Sequence, residues 1–182
     1  MDARTIHVSI VSHRHGAVVH RLLQDLEAAP AGLLHVTLTL NVPEELPFDP
    51  AALRLPVVVR RNRRPLGFGA NHNAARAEHA AACGCAWFCV ANPDIRLDAH
   101  GLERLRDRLA SDAALALVAP LVVDSAGSVQ ASARALPTPA EIFGKLRGRG
   151  WSVPPDGPPL SPDWVAGMLM LMRASAFVEV GG

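Results

Sequence analysis

The sequence predicts an α/β layered domain with a mostly parallel central sheet. Short β-branched apolar runs recur along the chain, segments with helical spacing separate them, and Pro, Gly or Asn marks the transitions. At 182 residues the chain is long enough to bury a core, and a single domain spanning 1–182 is expected.

Thr5 to Ser12 (TIHVSIVS) reads as a strand buried on both faces. Val18, Val19, Leu22, Leu23 and Leu26 then recur at helical spacing until Pro30 forbids continuation. His35 to Asn41 is a second strand, followed by a Pro- and acid-rich loop from Val42, and Pro56 to Arg61 a third. After Gly67 and Gly69, the alanines of Ala70 to Cys83 predict a closely packed helix. Ala86 to Ala91 is a fourth strand that stops at Asn92-Pro93-Asp94. Asp98 is the expected N-cap of a helix with Leu102, Leu105 and Leu109 on one stripe. Leu115–Val123 and Val129–Ala133 flank Asp124-Ser125-Ala126-Gly127, which predicts a hairpin. Residues 137–162 read as a Pro/Gly-rich surface excursion with one short helix near 140–146. Asp163 to Met172 returns to buried-strand character, its Met168, Met170 and Met172 assigned to the core, and Ala174 to Val180 starts a further helix or turn.

Eighteen Lys plus Arg against seventeen Asp plus Glu argue against a nucleic-acid partner, and 49% hydrophobic residues argue against disorder. No run of about 18 apolar residues is present, the N-terminus lacks a signal-peptide layout, and three cysteines crowded between 83 and 89 make no disulfide framework, so a cytoplasmic location is expected.

In α/β sheets ligands sit outside the carboxyl ends of the strands, so chemistry is sought there. Asn92-Pro93-Asp94 stands at such an end. One carboxylate there can hold a hard divalent cation while phosphates supply further ligands; an Asx-type turn is the alternative. Asn62 to Asn73 (NRRPLGFGANHN) carries Gly67 and Gly69 beside a helix start, a cradle for an anion or ribose in which the glycines are expected to need positive φ. His72 stands where a dinucleotide fingerprint wants glycine, which argues against NAD. Arg60, Arg61, Arg63 and Arg64 are a solvated loop or a phosphate-facing cluster. His13 and His15 fit a polar loop better than a ligand role, and the spacing of Cys83, Cys85 and Cys89 with His79 is not a common zinc pattern.

GFGANHNAA at 67–75, the strand ending in NPDI at 92–95, RALPTP at 134–139 and DWVAGMLMLMRASAFVEVGG at 163–182 together resemble the family 2 glycosyltransferases of the GT-A fold, and within them the rhamnosyltransferase-like bacterial enzymes. The likeness runs in order over nearly the whole chain. It implies a GT-A, Rossmann-type layered fold and inverting transfer of a sugar from a nucleoside-diphosphate donor, dTDP-rhamnose among the candidates, to a hydroxyl of a glycan or lipid-linked glycan at the inner membrane face. By position it implies nucleotide-sugar contacts at Ser12, Asn41, Gly67, Gly69, Asn73 and Asn92, a Mg2+ or Mn2+ ion at Asp94, and an acceptor border at Trp164 and Gly167. Leu40-Asn41 departs from the family's Asp-Asn pattern. The family's catalytic base follows the Gly-Gly turn, so the base is expected beyond Gly182 and the chain to be incomplete; Asp163 and Glu179 do not match it. A non-catalytic nucleotide-sugar-binding module is the alternative function.

Overall fold

The apolar runs become strands β1 (Ile6–Ser12), β2 (Leu34–Leu40), β3 (Val57–Arg61), β4 (Trp87–Ala91), β5 (Leu117–Val118), β6 (Ala133–Arg134), β7 (Trp164–Val165) and β8 (Leu169–Arg173). The helices are α1 (Gly16–Leu26), α2 (Phe68–Cys83), α3 (Gly101–Ala110) and α4 (Ala174–Glu179). The structure is a computed structural model that describes residues 4–98, 100–134, 136 and 157–182, the side chains of residues 82 and 83 excepted. The chain divides into two compact units: residues up to Val118 with Met168–Gly182, and Ala119–Gly167.

In the first unit the sheet order is β3-β2-β1-β4-β8-β5. β1 to β4 are mutually parallel, in registers that set Ser12 beside Leu40, Leu40 beside Arg61 and Ile10 beside Ala91. β8 runs antiparallel to β4 and β5 antiparallel to β8. The mixed α/β architecture with a mostly parallel sheet is therefore as expected.

Alternation along β1 separates two unlike faces. Ile6, Val8 and Ile10 are fully buried on one side, with Leu22 and Leu23 of α1 and Leu102 and Leu109 of α3 in the same apolar core. The opposite side is polar. His7 Nε2 and Thr37 Oγ1 share a 2.8 Å hydrogen bond, Ser9 Oγ and His72 Nδ1 another of 2.8 Å, and the His7 and His79 rings stack at 3.8 Å. His72, Ala75, Arg76 and His79, spaced three and four residues apart, are the buried side of α2 on this face, so α2 docks without an apolar stripe.

At the start of α1, a Cβ on Gly16 would lie 2.8 Å from Pro47 Cδ, so the close approach of the 42–49 loop requires glycine there. Arg173 ties β8 to the end of α3: Nε donates to Leu115 O (2.8 Å) and Nη2 to Leu109 O (2.6 Å) and Asp112 O (3.1 Å), with the guanidinium over the Trp87 ring.

Three local expectations are corrected. The strand expected over 163–172 is two strands, β7 ending at Val165 and β8 beginning at Leu169, with Gly167, which has no side chain to pack in an extended run, between them. The long hairpin strands are not formed. β5 stops two residues before Pro120, which has no N–H for a ladder, and only the Val123–Val129 bridge closes the turn. The turn itself is as expected: Asp124 Oδ1 accepts from Ala126 N and Ser128 N, both at 2.9 Å, and Gly127 takes φ +80°. Asp98 is not the N-cap of α3, which begins at Gly101 after His100; its Oδ1 instead accepts from His100 N (2.9 Å) in an Asx turn.

In the second unit β6 and β7 pair antiparallel, Arg134 opposite Trp164. Most of the expected excursion, including the short helix near 140–146, lies outside the described residues.

Candidate functional site at the carboxyl edge of the sheet

Because β1 to β4 are parallel, their carboxyl ends bring the loops at 13–15, 41–49, 62–67 and 92–98 to one edge. The strand order reverses direction at β1, whose chain continues to β2 on one side while β4 flanks it on the other; that is a topological switch point, the place where open α/β sheets bind ligands. Ser12, Asn41, Gly67, Gly69, Asn92 and Asp94 all reach this edge.

Each is held differently. Ser12 is fully buried, and its Oγ accepts from His15 N at 3.1 Å, closing the loop after β1. Asn41 is the centre of an amide network. Its Oδ1 accepts from Leu66 N (2.8 Å), Asn62 Nδ2 (2.8 Å) and Asn71 Nδ2 (3.1 Å), and its Nδ2 donates to Leu66 O (3.1 Å) and His13 Nδ1 (3.3 Å). Asn71 Nδ2 also reaches Leu66 O and Gly67 O, both at 3.1 Å, while its Oδ1 accepts from Asn62 Nδ2 at 2.7 Å. With both ends of its amide engaged, Asn41 ties β2 to the loop before α2.

Asn62 and Asn71 are the residues sequence reasoning missed. It named Asn73, whose Nδ2 lies 2.8 Å from where a Cβ on Gly182 would stand. The available signal was phase: Asn71 lies one helical turn before the fully buried Ala75.

The expectation of positive φ at Gly67 and Gly69 is overturned. Gly67 has φ −68° as the residue before α2, Gly69 lies within the helix, and neither is among the glycines with positive φ. A Cβ at either would meet nothing within 4 Å, so both face open space. Of the arginine cluster, Arg60 is committed: its Nε donates to Glu78 Oε1 at 2.8 Å and its Nη1 to Asn62 Oδ1. Arg61, Arg63 and Arg64 are exposed. A hollow of about 490 Å3 opens beside Leu40, Val42, Glu45, Arg61 and Asn62, at the ends of β2 and β3.

Asn92 N donates to Met168 O (2.8 Å), fixing the turn after β4. Asp94, two residues on, is exposed, and no hydrogen bond or ion pair engages its carboxylate among the described residues. No cluster of three or more His, Cys, Asp or Glu suited to a metal occurs among the described residues. A single free carboxylate at a crevice fits Mg2+ or Mn2+ bound together with phosphate oxygens, which needs no protein cage.

Burial sets the protonation of the polar layer beneath this edge. His72 is pushed down to about 4 by burial, and its Nε2 has no hydrogen-bond partner among the described residues. His7 is pushed down to about 3 by burial and then by the charges of His79, Arg76 and His35. Cys89 is pushed up to about 12 by burial in β4, which makes it a poor metal ligand, and Cys85 shares a 3.2 Å contact with His79 Nε2. The side chain of Cys83 lies outside the described residues.

In the second unit, Trp164 is half-exposed and Arg134 lies over its ring at 5.5 Å. Asp163 Oδ2 accepts from Leu136 N at 2.9 Å. Gly167 follows β7 in the turn that ends this unit.

No family model matches the chain. Over 96% of its length it is 28% identical to N-acetylglucosaminyl-diphospho-decaprenol L-rhamnosyltransferase of Mycobacterium tuberculosis, in strains CDC 1551 / Oshkosh and ATCC 25618 / H37Rv. It spans 63% of the length of those relatives. Among solved structures, the mannosyltransferase PcManGT from Pyrobaculum calidifontis, in complex with GDP-Man and Mn2+, superposes with a TM-score of 0.62 at 13% identity, covering 97% of this chain and 46% of that one. TarS of S. aureus, residues 1–349, gives a TM-score of 0.54 at 13% identity, covering 97% and 49%. These neighbours are GT-A glycosyltransferases and the curated relatives are rhamnosyltransferases, the likeness the motifs carry; the expected fold is shown.

Proposed function

We propose that this chain is the donor-binding part of a glycosyltransferase that moves a sugar, rhamnose by its relatives' name, from a nucleoside diphosphate to a hydroxyl of a lipid-linked glycan. The carrying observation is the topological switch point at β1, where the turn after the neighbouring strand β4 carries Asp94, an exposed carboxylate without a partner among the described residues. The nucleoside occupies the hollow at the ends of β2 and β3, and Gly67 and Gly69 leave the start of α2 open to the sugar-diphosphate. Ser12 and Asn41 act by holding the surrounding loops. Asn92 shapes the turn that presents Asp94, which would hold a divalent cation. When bound, that cation supplies positive charge to the departing diphosphate.

The transfer is an inverting displacement. The acceptor oxygen bonds to the sugar carbon as the bond to the diphosphate breaks, and its proton passes to a carboxylate base. Trp164 and Gly167 border the acceptor, the half-exposed indole offering a face to a sugar ring. A lipid-linked acceptor places the reaction at a membrane face, the inner one by the family resemblance. No helix among the described residues is long and apolar enough to cross a membrane.

The second reading is a binding module without transfer: neither Asp163, which accepts from Leu136 N, nor Glu179 matches the catalytic base that the family resemblance implies. Calorimetry tests the donor reading. The wild-type chain binds dTDP more tightly with Mn2+ than without, and Asp94→Ala removes that increment while its circular dichroism is unchanged. Equal Mn2+ enhancement in Asp94→Ala overturns the assignment of the metal. A transfer assay with a lipid-linked N-acetylglucosaminyl diphosphate then separates enzyme from binding module.

A further inference from the structure

The buried side of α2 holds a charge that no described side chain balances. Arg76 is only 9% exposed, and its Nε and Nη1 are buried without a hydrogen-bond partner. It makes no hydrogen bond or ion pair among the described residues. A guanidinium is all donor and keeps its proton inside a protein, so it cannot escape burial by becoming neutral. An unpaired buried cation is costly, and it calls for a negative partner.

The surroundings supply none. Arg76 shares its face of α2 with His79, and its positive charge disfavours protonation of both His79 and His7, whose rings stack at 3.8 Å. His35 meets the His79 ring edge-on at 5.7 Å from the β2 side. No Asp or Glu is among the buried polar side chains described. The carboxylate of α2, Glu78, is exposed and accepts from Arg60 Nε at 2.8 Å. His7 adds to the imbalance: Nε2 is engaged by Thr37 Oγ1 at 2.8 Å, while Nδ1 is buried without a partner. With the Thr37 hydroxyl donating to Nε2, the neutral ring carries its proton on Nδ1. Arg76 and His7 then present three buried donors, from α2 and from β1, and no acceptor.

The geometry points to a binding site for a small oxyanion, of carboxylate or phosphate type, between α2 and β1, held by the Arg76 guanidinium and His7 Nδ1. Such an ion brings the negative charge and the acceptors that these groups lack, and paired oxygens suit a guanidinium better than a single point charge does. The site is separate from the donor edge. Arg76 lies nine residues past Gly67, about 13 Å along the axis of α2, and His7 lies five residues before the end of β1 at Ser12.

The test titrates sodium formate, and separately sodium phosphate, into the wild-type chain and Arg76→Met at pH 7, read by thermal melting and by NMR of the arginine Nε–H resonances. Wild type should melt about 5–10 °C higher once formate reaches a hundredfold excess over its half-effect concentration, the shift that mass action gives a chain of this size. Arg76→Met should melt no lower than wild type without the anion, because methionine keeps the length and removes the unpaired charge. It should also lack the anion increment; a general salt effect appears equally in both chains and cancels in their difference. In the wild-type chain the Arg76 Nε–H resonance should move over the same formate range, a readout that stands even where the variant fails to fold. An equal rise in wild type and Arg76→Met overturns the site, as does an Arg76 Nε–H resonance that neither salt moves.

Discussion

Acidification should unfold this chain earlier than its carboxylates alone would. His7 and His72 are buried neutral beneath α2 and protonate in the fold only near 3 and 4, against 6.5 when unfolded. Their folded values are depressed, so the stability they confer is complete above 6.5 and is lost as pH falls through the window down to 4 and then 3. At 1.36 kcal/mol per unit, the full losses are about 5 kcal/mol for His7 and about 3 kcal/mol for His72. Between pH 7 and 5 each loses about 2 kcal/mol, so the pair loses about 4 kcal/mol. That is a large share of the roughly 5–15 kcal/mol by which domains are stable. His79, lowered first by burial, acts in the same direction. Asp25, held below the usual carboxylate range by the Arg96 guanidinium, loses its contribution only below its ordinary value of 3.8, outside this interval. Urea unfolding at pH 7, 6 and 5, followed by circular dichroism, reads the effect directly. His72→Gln should flatten the dependence by about 2 kcal/mol over that range. A wild-type stability constant from pH 7 to 5, or ring titrations of His7 and His72 near 6.5 by NMR, would refute the reasoning.

Two further expectations concern the loop before α2. Gly69→Ala should leave thermal stability unchanged or slightly higher, because its Cβ meets open space and alanine suits a helix, whereas Gly69→Val should obstruct the donor; calorimetry with dTDP beside a melting curve checks both. Asn71→Ala removes the amide that serves Asn41, Leu66 and Gly67, leaves buried acceptors short of donors, and should cost about 2 kcal/mol in urea unfolding. An unchanged midpoint would show that Asn62 alone holds the loop.

The strand–helix alternation was legible because β-branched runs such as IHVSIVS announce themselves locally, and Pro30 and Asn92-Pro93 mark where elements stop. The polar layer was not. Burial of Thr5–Ser12 on both faces was readable, yet His7 meets Thr37 thirty residues on and Ser9 meets His72 sixty-three residues on, pairings no local period encodes. The site shows the same division. The position of Asp94 at the carboxyl end of a strand was readable from the apolar run before it, while the contacts of Asn41, Asn62 and Asn71 depend on three segments meeting. Of the run from Asp163 to Gly182 that carries the resemblance, Trp164 and Gly167 belong to the second unit, whereas Arg173 lies opposite Trp87 at the amino end of β4, serving the scaffold.

The central claim is that the β1/β4 crevice receives a nucleoside diphosphate with a divalent cation at Asp94. Paramagnetic broadening by Mn2+ in the presence of dTDP locates that ion without any assay of transfer, since nearby amide resonances vanish first. The account predicts selective loss at residues 92–95 and 13–15, absent in Asp94→Ala, with the signals of Gly32 and Arg54 at the opposite end of the sheet retained. Broadening centred elsewhere, or persisting in Asp94→Ala, would contradict it.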